Sequence, residues 1–585
     1  MWLLNVVVVV LLLLLVRLLW YPLDGTQGEA VSASFDDKMK IFKRLAAFDM
    51  DYIEAGWPGS NPKDATFFAR AQTDALTDHE RSKLVAFGST RRKGIANPAD
   101  DAQVQALIAS QAPTLCLVAK GHAWQVTDIL RATLDENLQM IEDTVRYCVQ
   151  QHGRTVMVDL EHFFDGYAHN AAYALQCCQA AMRGGASCLV LCDTNGGTMP
   201  WHIAAVVQEL GQHLEGKITL GIHCHNDCGM AVANSVMAVN AGCGLVQGTI
   251  NGIGERTGNA DLCAVLPNLA LKCQSTVTCR DNMHQLTSLS RYVDEILNRT
   301  PNHAAPYVGS AAFAHKGGLH VAAMQRSSAS YQHLDPSEVG NESRVLISEL
   351  SGRQNILGKI QAIGVDPDVA SDRALHILNR VKDLESKGYT FEGAEASVHL
   401  MILHASKGYC APFQVLDYTA QVYDASLDSA SRFSDKTAAP STRLASPTAR
   451  ATVKVRTVNP NPPPFNPQEP MNYHQVSQEV LEVGEGNGPV DALANALYRA
   501  LEPVHPFLKN VELADYKVRI LDPESATGAS TRVMIEFRDT STESTWTTVS
   551  VDTNVISASL NALIDGFEYA LVEHADSCML CEDAF

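Results

Sequence analysis

The sequence is short of positive charge, and this deficit excludes several classes of partner. Its 585 residues include 45 Lys and Arg against 65 Asp and Glu, a formal net charge of -20. A surface of that sign repels the phosphates of nucleic acids and of anionic lipids. We therefore expect no nucleic-acid partner and no membrane partner. A small anionic substrate would need a local positive centre, such as a metal ion.

The 15 cysteines lack the regular spacing of a disulfide framework. Cys116, Cys148 and Cys188 lie inside apolar runs, as the buried thiols of a reducing compartment do. Cys578 and Cys581 form a lone CxxC pair, which by itself makes no zinc site. This usage predicts a cytoplasmic protein, with an organelle as the alternative.

The first twenty residues, MWLLNVVVVVLLLLLVRLLW, are apolar but lack two features of a secretory signal. No charged segment opens the chain, and no small-residue cleavage site follows the run. The run is almost long enough to span a bilayer. Because the site-like segment DGTQGE follows at once, we predict that residues 5 to 16 form a buried first strand. A membrane anchor and a mis-assigned start of the chain are the alternatives.

Seven short apolar runs alternate with helix-like segments between residues 50 and 270. The predicted strands are MDYIEAGW, KLVAFGST, TLCLVAK, TVMVDLEHF, CLVLCDT, ITLGIHCHN and LVQGTING. With one strand from the N-terminal run they make eight β/α units, the number in a TIM barrel. We therefore predict an α/β protein in which residues 1–274 form a (β/α)8 barrel. Its active site should lie at the carboxyl ends of the strands.

The rest of the chain predicts two further units. Residues 275–407 lose the strand alternation, which favours a helical linker subdomain. Residues 408–585 contain a weak repeat of strand, strand and helix, in which VLDYTAQV, ATVKVRTV and ALANAL align with LADYKVRI, TRVMIEFR and ASLNAL. Low-complexity insertions interrupt its first copy at residues 426–448 and 459–475. A duplicated α+β unit of this kind is typical of a folding or assembly module.

Two histidines are the best candidates for metal ligands. In GIHCHND, His223 and His225 lie two positions apart on a predicted strand, so both imidazoles share one face. Asp24 after the first strand and Asn259 beyond the eighth can add oxygen ligands across the closed barrel, because strands one, seven and eight are neighbours. Such a mixed shell suits one divalent ion, either Mg, Mn or Zn. An ordinary pair of polar strand residues is the alternative.

Eight segments, in order and over nearly the whole chain, resemble citramalate synthases. They are YIEAGWPGSNPKD, DLEHFFDGY, CDTNGGT, GIHCHND, NGIGERTGN, FAHKGGLH, YQHLDPSEVGN and ELSGRQNI. WPGSNPKD in particular is similar to the citramalate branch of the wider family that includes isopropylmalate synthases. The resemblance implies an acyltransferase that condenses acetyl-CoA with pyruvate to (R)-citramalate and CoA, in the pyruvate route to isoleucine.

The resemblance also implies roles for single residues. It places Asp24, His223, His225 and Asn259 on metal positions, Glu161 and Thr194 in the substrate pocket with Glu161 also catalytic, His320 on an acid/base position of the linker subdomain, and Tyr331 beside it as a further catalytic residue. The C-terminal repeat resembles a dimerising regulatory domain. That domain implies a homodimer and isoleucine as feedback inhibitor.

One position departs from the family pattern. The family carries an arginine before the metal-binding aspartate, where this chain has Leu23. The arginine stabilises the developing enolate oxygen, and loss of such a donor costs on the order of 100- to 1000-fold in rate. Two alternative functions stay open. One is a 2-isopropylmalate synthase, which takes the larger acid 2-oxoisovalerate in a pocket whose volume the sequence does not reveal. The other, motivated by Leu23, is a catalytically impaired paralogue that senses an amino acid.

Overall fold

The computed structural model describes residues 15–20, 28, 31–73, 76–324, 326–348, 351, 353–362, 367–406, 409–423, 449–458, 477–542 and 544–574. The chain divides into two compact units, Met1–Phe313 with Leu334–Ser343 and Ala314–His333 with Arg344–Phe585. The predictions for residues 5–14, Leu23, Asp24, the CxxC pair and both insertions lie outside the described residues.

Eight parallel strands close into a barrel in the first unit. They are β1 (Leu15–Trp20), β2 (Tyr52–Glu54), β3 (Leu84–Ser89), β4 (Thr114–Lys120), β5 (Thr155–Glu161), β6 (Cys188–Asp193), β7 (Thr219–Cys224) and β8 (Leu245–Gly248). Each pairs with the next, and β1 closes the ring between β8 and β2. A short strand β9 (Thr276–Val277) also pairs with β1. The predicted TIM barrel is confirmed, and seven of its strands lie in the predicted segments.

The first strand lies further along the chain than predicted. It spans Leu15–Trp20 and overlaps the predicted residues 5 to 16 only at its first two positions. The register sets its place, because Arg17 pairs with Leu245 and Trp20 pairs with both Gly248 and Ile53. An apolar run longer than one strand does not reveal which of its residues will pair. The prediction of a buried first strand is right, and its position is wrong.

Helices cover the outside of the barrel. They are α1 (Phe35–Ala47), α2 (Pro62–Ala71), α3 (Asp78–Ser82), α4 (Ala102–Ala109), α5 (Leu134–Arg146), α6 (Phe163–Gly184), α7 (Pro200–His213), α8 (Ala231–Ala241), α9 (Leu262–Pro267) and α10 (Leu286–Ile296). The start of α1 illustrates how the local sequence begins a helix, because Ser34 and Asp37 form a reciprocal capping box there. The outer core includes Val16 and Leu18 of β1.

The second unit begins with a mostly helical part. It contains β10 (Ala314–His315), α11 (Gly318–Met324), β11 (Arg344–Val345), α12 (Arg353–Ala362), α13 (Pro367–Ser386) and α14 (Glu395–His404). The two short strands pair in parallel. Apolar side chains of α12, α13 and α14 share one core, which includes Ile356, Val381 and Val398.

A duplicated α+β fold completes the second unit. Its first copy is β12 (Phe413–Val422), β13 (Ala449–Val458), β14 (Ser477–Gly486) and α15 (Pro489–Leu501), and its second copy is β15 (Val511–Ile520), β16 (Thr531–Asp539), β17 (Ser544–Asp552) and α16 (Val555–His574). Each copy is an antiparallel three-stranded sheet followed by a helix. The predicted duplication is confirmed, but two strands per copy is wrong. The third strand β14, SQEVLEVGEG, lacks a clean alternation of apolar and polar residues and contains two glycines, so its pattern does not identify a strand.

One helix of the described residues, Val555–His574, is long and apolar enough to cross a membrane. It is the core helix α16 of the second copy. Leu560, Leu563 and Phe567 are buried in the core that it shares with the sheets of this domain. The length and composition of such a helix are therefore weak evidence for a membrane span.

A cluster of acidic groups lies where α14 packs on α16. Glu568 accepts hydrogen bonds from Tyr409 at 2.7 Å and from His404 Nε2 at 2.6 Å. Asp565 lies one turn earlier on α16, in the same contact between the two helices. Its carboxylate accepts a hydrogen bond from Ser397 Oγ at 3.5 Å. Burial, with the like charge of Glu568, raises the pKa of Asp565 to about 7.

We expect Leu18→Ala to destabilise the barrel by about 2–5 kcal/mol, because Leu18 is fully buried and its loss leaves a cavity. Urea denaturation followed by tryptophan fluorescence measures the change. Ile129→Ala, at a side chain that is 56% exposed, is the control and should shift stability by less than about 0.5 kcal/mol. Equal effects of the two variants would contradict a buried first strand.

We expect Asp565→Asn to stabilise the protein increasingly as the pH rises from about 4 to about 7. The folded state binds the Asp565 proton more tightly than the unfolded chain, so this carboxyl stabilises the fold fully only below its unfolded pKa, and the contribution is lost as pH rises through about 7. An amide cannot ionise, so the variant escapes that loss. Parallel curves of unfolding free energy against pH for the two proteins would contradict this.

Candidate functional site

His223 and His225 lie together at the carboxyl end of β7. Their side chains point to the inside of the barrel, and the residues are only 5% and 6% exposed. The two Nε2 atoms are 3.4 Å apart. Asn259 joins them through a β-bridge to His225 and through a contact of 3.2 Å between its Nδ2 and His223 Nε2. The structure therefore brings together three of the four predicted metal ligands.

A chain of buried hydrogen bonds sets the tautomer of His223. The Asp159 carboxylate accepts from the Cys116 thiol and from Gln247 Nε2, each at 3.0 Å. Burial raises the pKa of Cys116 well above its usual range, which keeps this thiol a donor. Because the Gln247 nitrogen faces Asp159, its Oε1 accepts from His223 Nδ1 at 2.8 Å. The proton of His223 is thus on Nδ1, and the lone pair on Nε2 faces His225 and Asn259.

A tight glycine turn holds Asn259 in this position. A Cβ atom on Gly254 would lie 1.8 Å from Asn259 Oδ1, and one on Gly258 would lie 2.0 Å from the Gly252 carbonyl oxygen. Gly258 also has φ +93°, which side chains disfavour. The glycines of NGIGERTGN thus allow the backbone to bring Asn259 against the two histidines.

The donors at this point fit a divalent ion. Two imidazole nitrogens that bind one ion at about 2.0–2.1 Å lie about 3.0–3.4 Å apart at usual bond angles, and the two Nε2 atoms meet this spacing. The Asn259 amide can offer its oxygen after a half-turn about its last bond. Across the described residues, which do not include Asp24, no group of three or more His, Cys, Asp and Glu side chains converges. Whether Asp24 is the acidic ligand stays a prediction.

Glu161 and Thr194 lie at the same face of the barrel, at and just after the ends of β5 and β6. Glu161 forms an ion pair with Lys120 of β4. Thr194 Oγ1 accepts from the backbone N–H of His162 at 2.8 Å, which ties the two strand ends together. Their predicted contacts with substrate stay predictions.

Arg256 fixes the glycine turn to the neighbouring loop. Its guanidinium donates to both carboxylate oxygens of Asp227, at 2.8 and 2.9 Å, and to the carbonyl oxygen of Thr194 at 2.8 Å. These bonds lower the pKa of Asp227, so the pair stays ionised. A cavity of about 430 Å³ opens beside the turn, and Arg256 and Arg299 are among its lining residues.

His320 and Tyr331 lie in the second unit and contact each other. Their rings stack with centroids 4.1 Å apart and planes inclined by 26°. Both side chains are exposed. The predicted pairing of a histidine with a nearby tyrosine is therefore present within this unit, and their catalytic roles stay predictions.

Two buried polar residues of the barrel interior, Asp159 and Gln247, were not assigned to the site from the sequence. They form the hydrogen-bond chain to His223. The alternation of side chains along a strand could have indicated these residues, because each occupies an inward position at or near a strand end. A single polar residue in an apolar strand is too common a feature to be assigned without its partners.

Three protein families match consecutive parts of the chain. The HMGL-like family matches residues 22–293, the homocitrate synthase post-HMGL domain-like family matches 307–389, and the LeuA allosteric (dimerisation) domain matches 441–571. A closed barrel with a histidine pair at its mouth, followed by a duplicated α+β unit, thus defines an HMGL-like enzyme scaffold with a LeuA-type domain.

Close relatives narrow this class. The chain is 42% identical to (R)-citramalate synthase of Geobacter sulfurreducens over 94% of this chain and 96% of that protein. It is 41% identical to (R)-citramalate synthase of Aquifex aeolicus over 95% and 98%. The chain belongs to the citramalate synthase family. An HMG-CoA lyase of Bacillus subtilis shares 18% identity over 50% of this chain and 97% of its own, with a TM-score of 0.41.

We expect Gln247→Leu to weaken binding of a divalent ion by about 10- to 100-fold, because His223 loses the acceptor that fixes its tautomer. Titration calorimetry with Mn²⁺ or Zn²⁺ measures this without reference to turnover. Gln212→Leu, on the exposed face of α7, is the matched control and should bind as the wild type does. Unchanged affinity in a folded Gln247→Leu protein would rule out this role.

Proposed function

We propose that this protein condenses acetyl-CoA with pyruvate to give (R)-citramalate and CoA. The observation that carries the proposal is the buried pair His223 and His225, with Asn259 against them, at the mouth of a barrel whose sequence belongs to the citramalate synthase family. The pyruvate acceptor is supported by relatives that are (R)-citramalate synthases over nearly their whole length.

The reaction transfers no electrons and needs two proton movements. A base removes a proton from the acetyl methyl group, the resulting carbanion equivalent forms a bond to the ketone carbon of pyruvate, and the ketone oxygen gains a proton. Water then breaks the thioester and releases CoA. We propose His320 as the group that exchanges these protons, with the stacked Tyr331 ring orienting it.

The residues of the barrel bind and orient the acceptor. A divalent ion held by His223, His225, Asn259 and Asp24 would supply Lewis acidity toward a 2-oxo acid. We propose that Glu161 and Thr194 border the place of the acceptor at the ends of β5 and β6. Arg256 and Arg299 line the cavity beside the glycine turn, where Asp227 and Asp294 pair with them.

The C-terminal domain supports a proposal about assembly and control. Its match to a LeuA dimerisation domain favours a homodimer, and Leu481 and Val483 of β14 leave an apolar strip of sheet exposed in a single chain. We propose isoleucine as the feedback inhibitor, because it is the end product of a citramalate route. Free, mostly buried thiols are typical of a reducing compartment, which favours the cytoplasm.

The substrate is tested by release of free CoA from acetyl-CoA with pyruvate, 2-oxobutanoate and 2-oxoisovalerate. We expect pyruvate to give the highest kcat/KM. A higher value for 2-oxoisovalerate would replace this function by 2-isopropylmalate synthesis. No CoA release with any of the three acids would favour a subunit that senses an amino acid without catalysis.

The position of Leu23 is tested with the same assay. We expect Leu23→Arg to raise kcat by about 100- to 1000-fold, because an arginine supplies the charge that stabilises the enolate oxygen. Metal affinity should change little, since the ligands are other residues. Leu375→Arg, at an exposed leucine of α13, controls for added charge. An unchanged kcat in a correctly folded Leu23→Arg protein would contradict the role of this position.

A further inference from the structure

Residues 56–64, which run from the loop after β2 into the first turn of α2, have a fixed structure that the proposed reaction does not yet explain. It carries the segment GWPGSNPKD and follows Glu54 at the carboxyl end of β2. The backbone N–H of Phe87 in β3 donates to the Gly56 carbonyl at 3.0 Å, which continues the strand pairing into the loop. A turn follows, in which the Ser60 N–H donates to the Trp57 carbonyl at 3.0 Å.

Asp64 holds the first side of this loop. The residue is 1% exposed, and its carboxylate accepts from the Trp57 N–H at 3.0 Å, from Asn61 Nδ2 at 2.8 Å and from Lys38 Nζ at 2.5 Å. A Cβ on Gly56, whose φ is +131°, would meet this carboxylate at 2.5 Å. A buried charge with three donors leaves the backbone at Trp57 little freedom.

Gln103 on α4 holds the other side. Its Oε1 accepts from the Trp57 indole Nε1 at 3.0 Å, and its Nε2 donates to the Gly59 carbonyl at 3.0 Å. Trp57 is therefore held at both its backbone nitrogen and its indole nitrogen. Burial of a tryptophan ring requires a partner for this N–H, and here one glutamine serves the ring and the turn together.

The fixed indole packs against the inner wall of the barrel. Its ring meets the Phe87 ring edge to face, with centroids 5.5 Å apart and planes at 83°. Trp57 is one of the partly buried residues on the apolar cluster of inward-facing side chains, which includes Phe87, Cys116 and Val190. Phe87 and Cys116 are register partners on β3 and β4.

The Trp57 and Phe87 rings form an aromatic wall. This wall lies across the barrel from the histidines. In a ring of eight strands β3 is opposite β7, which carries His223. The hydrogen-bonded chain of Cys116, Asp159 and Gln247 runs between them, from β4 beside Phe87 to His223. A 2-oxo acid bound with its carboxylate and ketone toward β7 would direct its alkyl group toward β2 and β3, where the Trp57 and Phe87 rings lie.

We infer that Trp57 limits the size of the alkyl group on the 2-oxo acid, so that a methyl group fits and longer or branched groups are hindered. The inference rests on the proposed condensation of a 2-oxo acid. Asp64 and Gln103 act as positioning residues, because each holds the indole without facing the acid. One methylene in an apolar pocket changes kcat/KM by about 10- to 200-fold, which is the size of effect that a fixed ring can impose.

The test compares kcat/KM for pyruvate, 2-oxobutanoate and 2-oxoisovalerate in the full-length wild type, Trp57→Ala and Trp57→Phe. We expect Trp57→Ala to raise the ratio of 2-oxobutanoate to pyruvate by at least about 10-fold. Trp57→Phe should lie between the two. Gln103→Leu, which loosens the ring without removing it, should change the ratio in the same direction by less.

A matched control separates selectivity from general damage. Trp201→Ala removes a tryptophan that is 62% exposed, and it should leave the ratio unchanged. A variant that only unfolds lowers all three values together and lowers Tm, whereas loss of a size limit changes their ratio. If Trp57→Ala does not fold, Trp57→Leu replaces it, with the same direction expected.

The outcomes distinguish this inference from the proposed function. A wild type that condenses pyruvate, together with a folded Trp57→Ala whose ratio equals that of the wild type, overturns the role of Trp57 and leaves the proposed function intact. A wild type that releases no CoA with any of the three acids overturns the proposed function, and the inference with it. A raised ratio in Trp57→Ala with an unchanged ratio in Trp201→Ala supports both.

Discussion

Closure of the barrel by β1 is the constraint on which the other features of the first unit depend. The strand pairs with β8 over Arg17 to Trp20 and with β2 at its last two residues. Without it the sheet would have two open edges, and open edges expose unpaired backbone groups. Closure also makes β3 face β7. The histidine pair and the Trp57 and Phe87 rings face each other across the barrel only because the sheet returns on itself.

The interior of that barrel resolves a conflict between stability and function. Buried polar groups are costly unless they are hydrogen-bonded. Asp159, Gln247 and Cys116 satisfy one another across three strands, and the last acceptor of the chain orients His223. The same bonds that make the polar interior tolerable therefore also turn His223 Nε2 toward His225 and Asn259. Each residue of this chain contributes to the fold and to the site at once.

The C-terminal domain shows how closely the duplicated copies agree. The first strand of each copy has a register shift at the same place, between Val415 and Asp417 in β12 and between Leu513 and Asp515 in β15. The tyrosine that follows each aspartate bonds to a serine of α16, Tyr418 to Ser557 at 2.9 Å and Tyr516 to Ser559 at 2.7 Å. One helix thus receives a side chain from both copies, which joins them into one domain.

The sequence alone determined the class of fold, the strands β2 to β8, the duplication and the histidine pair. These features follow from local periodicity, from the period of two along a strand and from motifs that resemble a known family. Tertiary structure decided where the first strand begins, because an apolar run of uniform composition acquires its register only from β8 and β2. It also decided which polar residues surround His223, because Asp159 and Gln247 are 88 positions apart and meet only across the closed barrel. In the same way, Trp57 is part of the inner wall of the barrel only because it contacts Asp64, Gln103 and Phe87. The spacing of these residues along the chain does not predict their contacts.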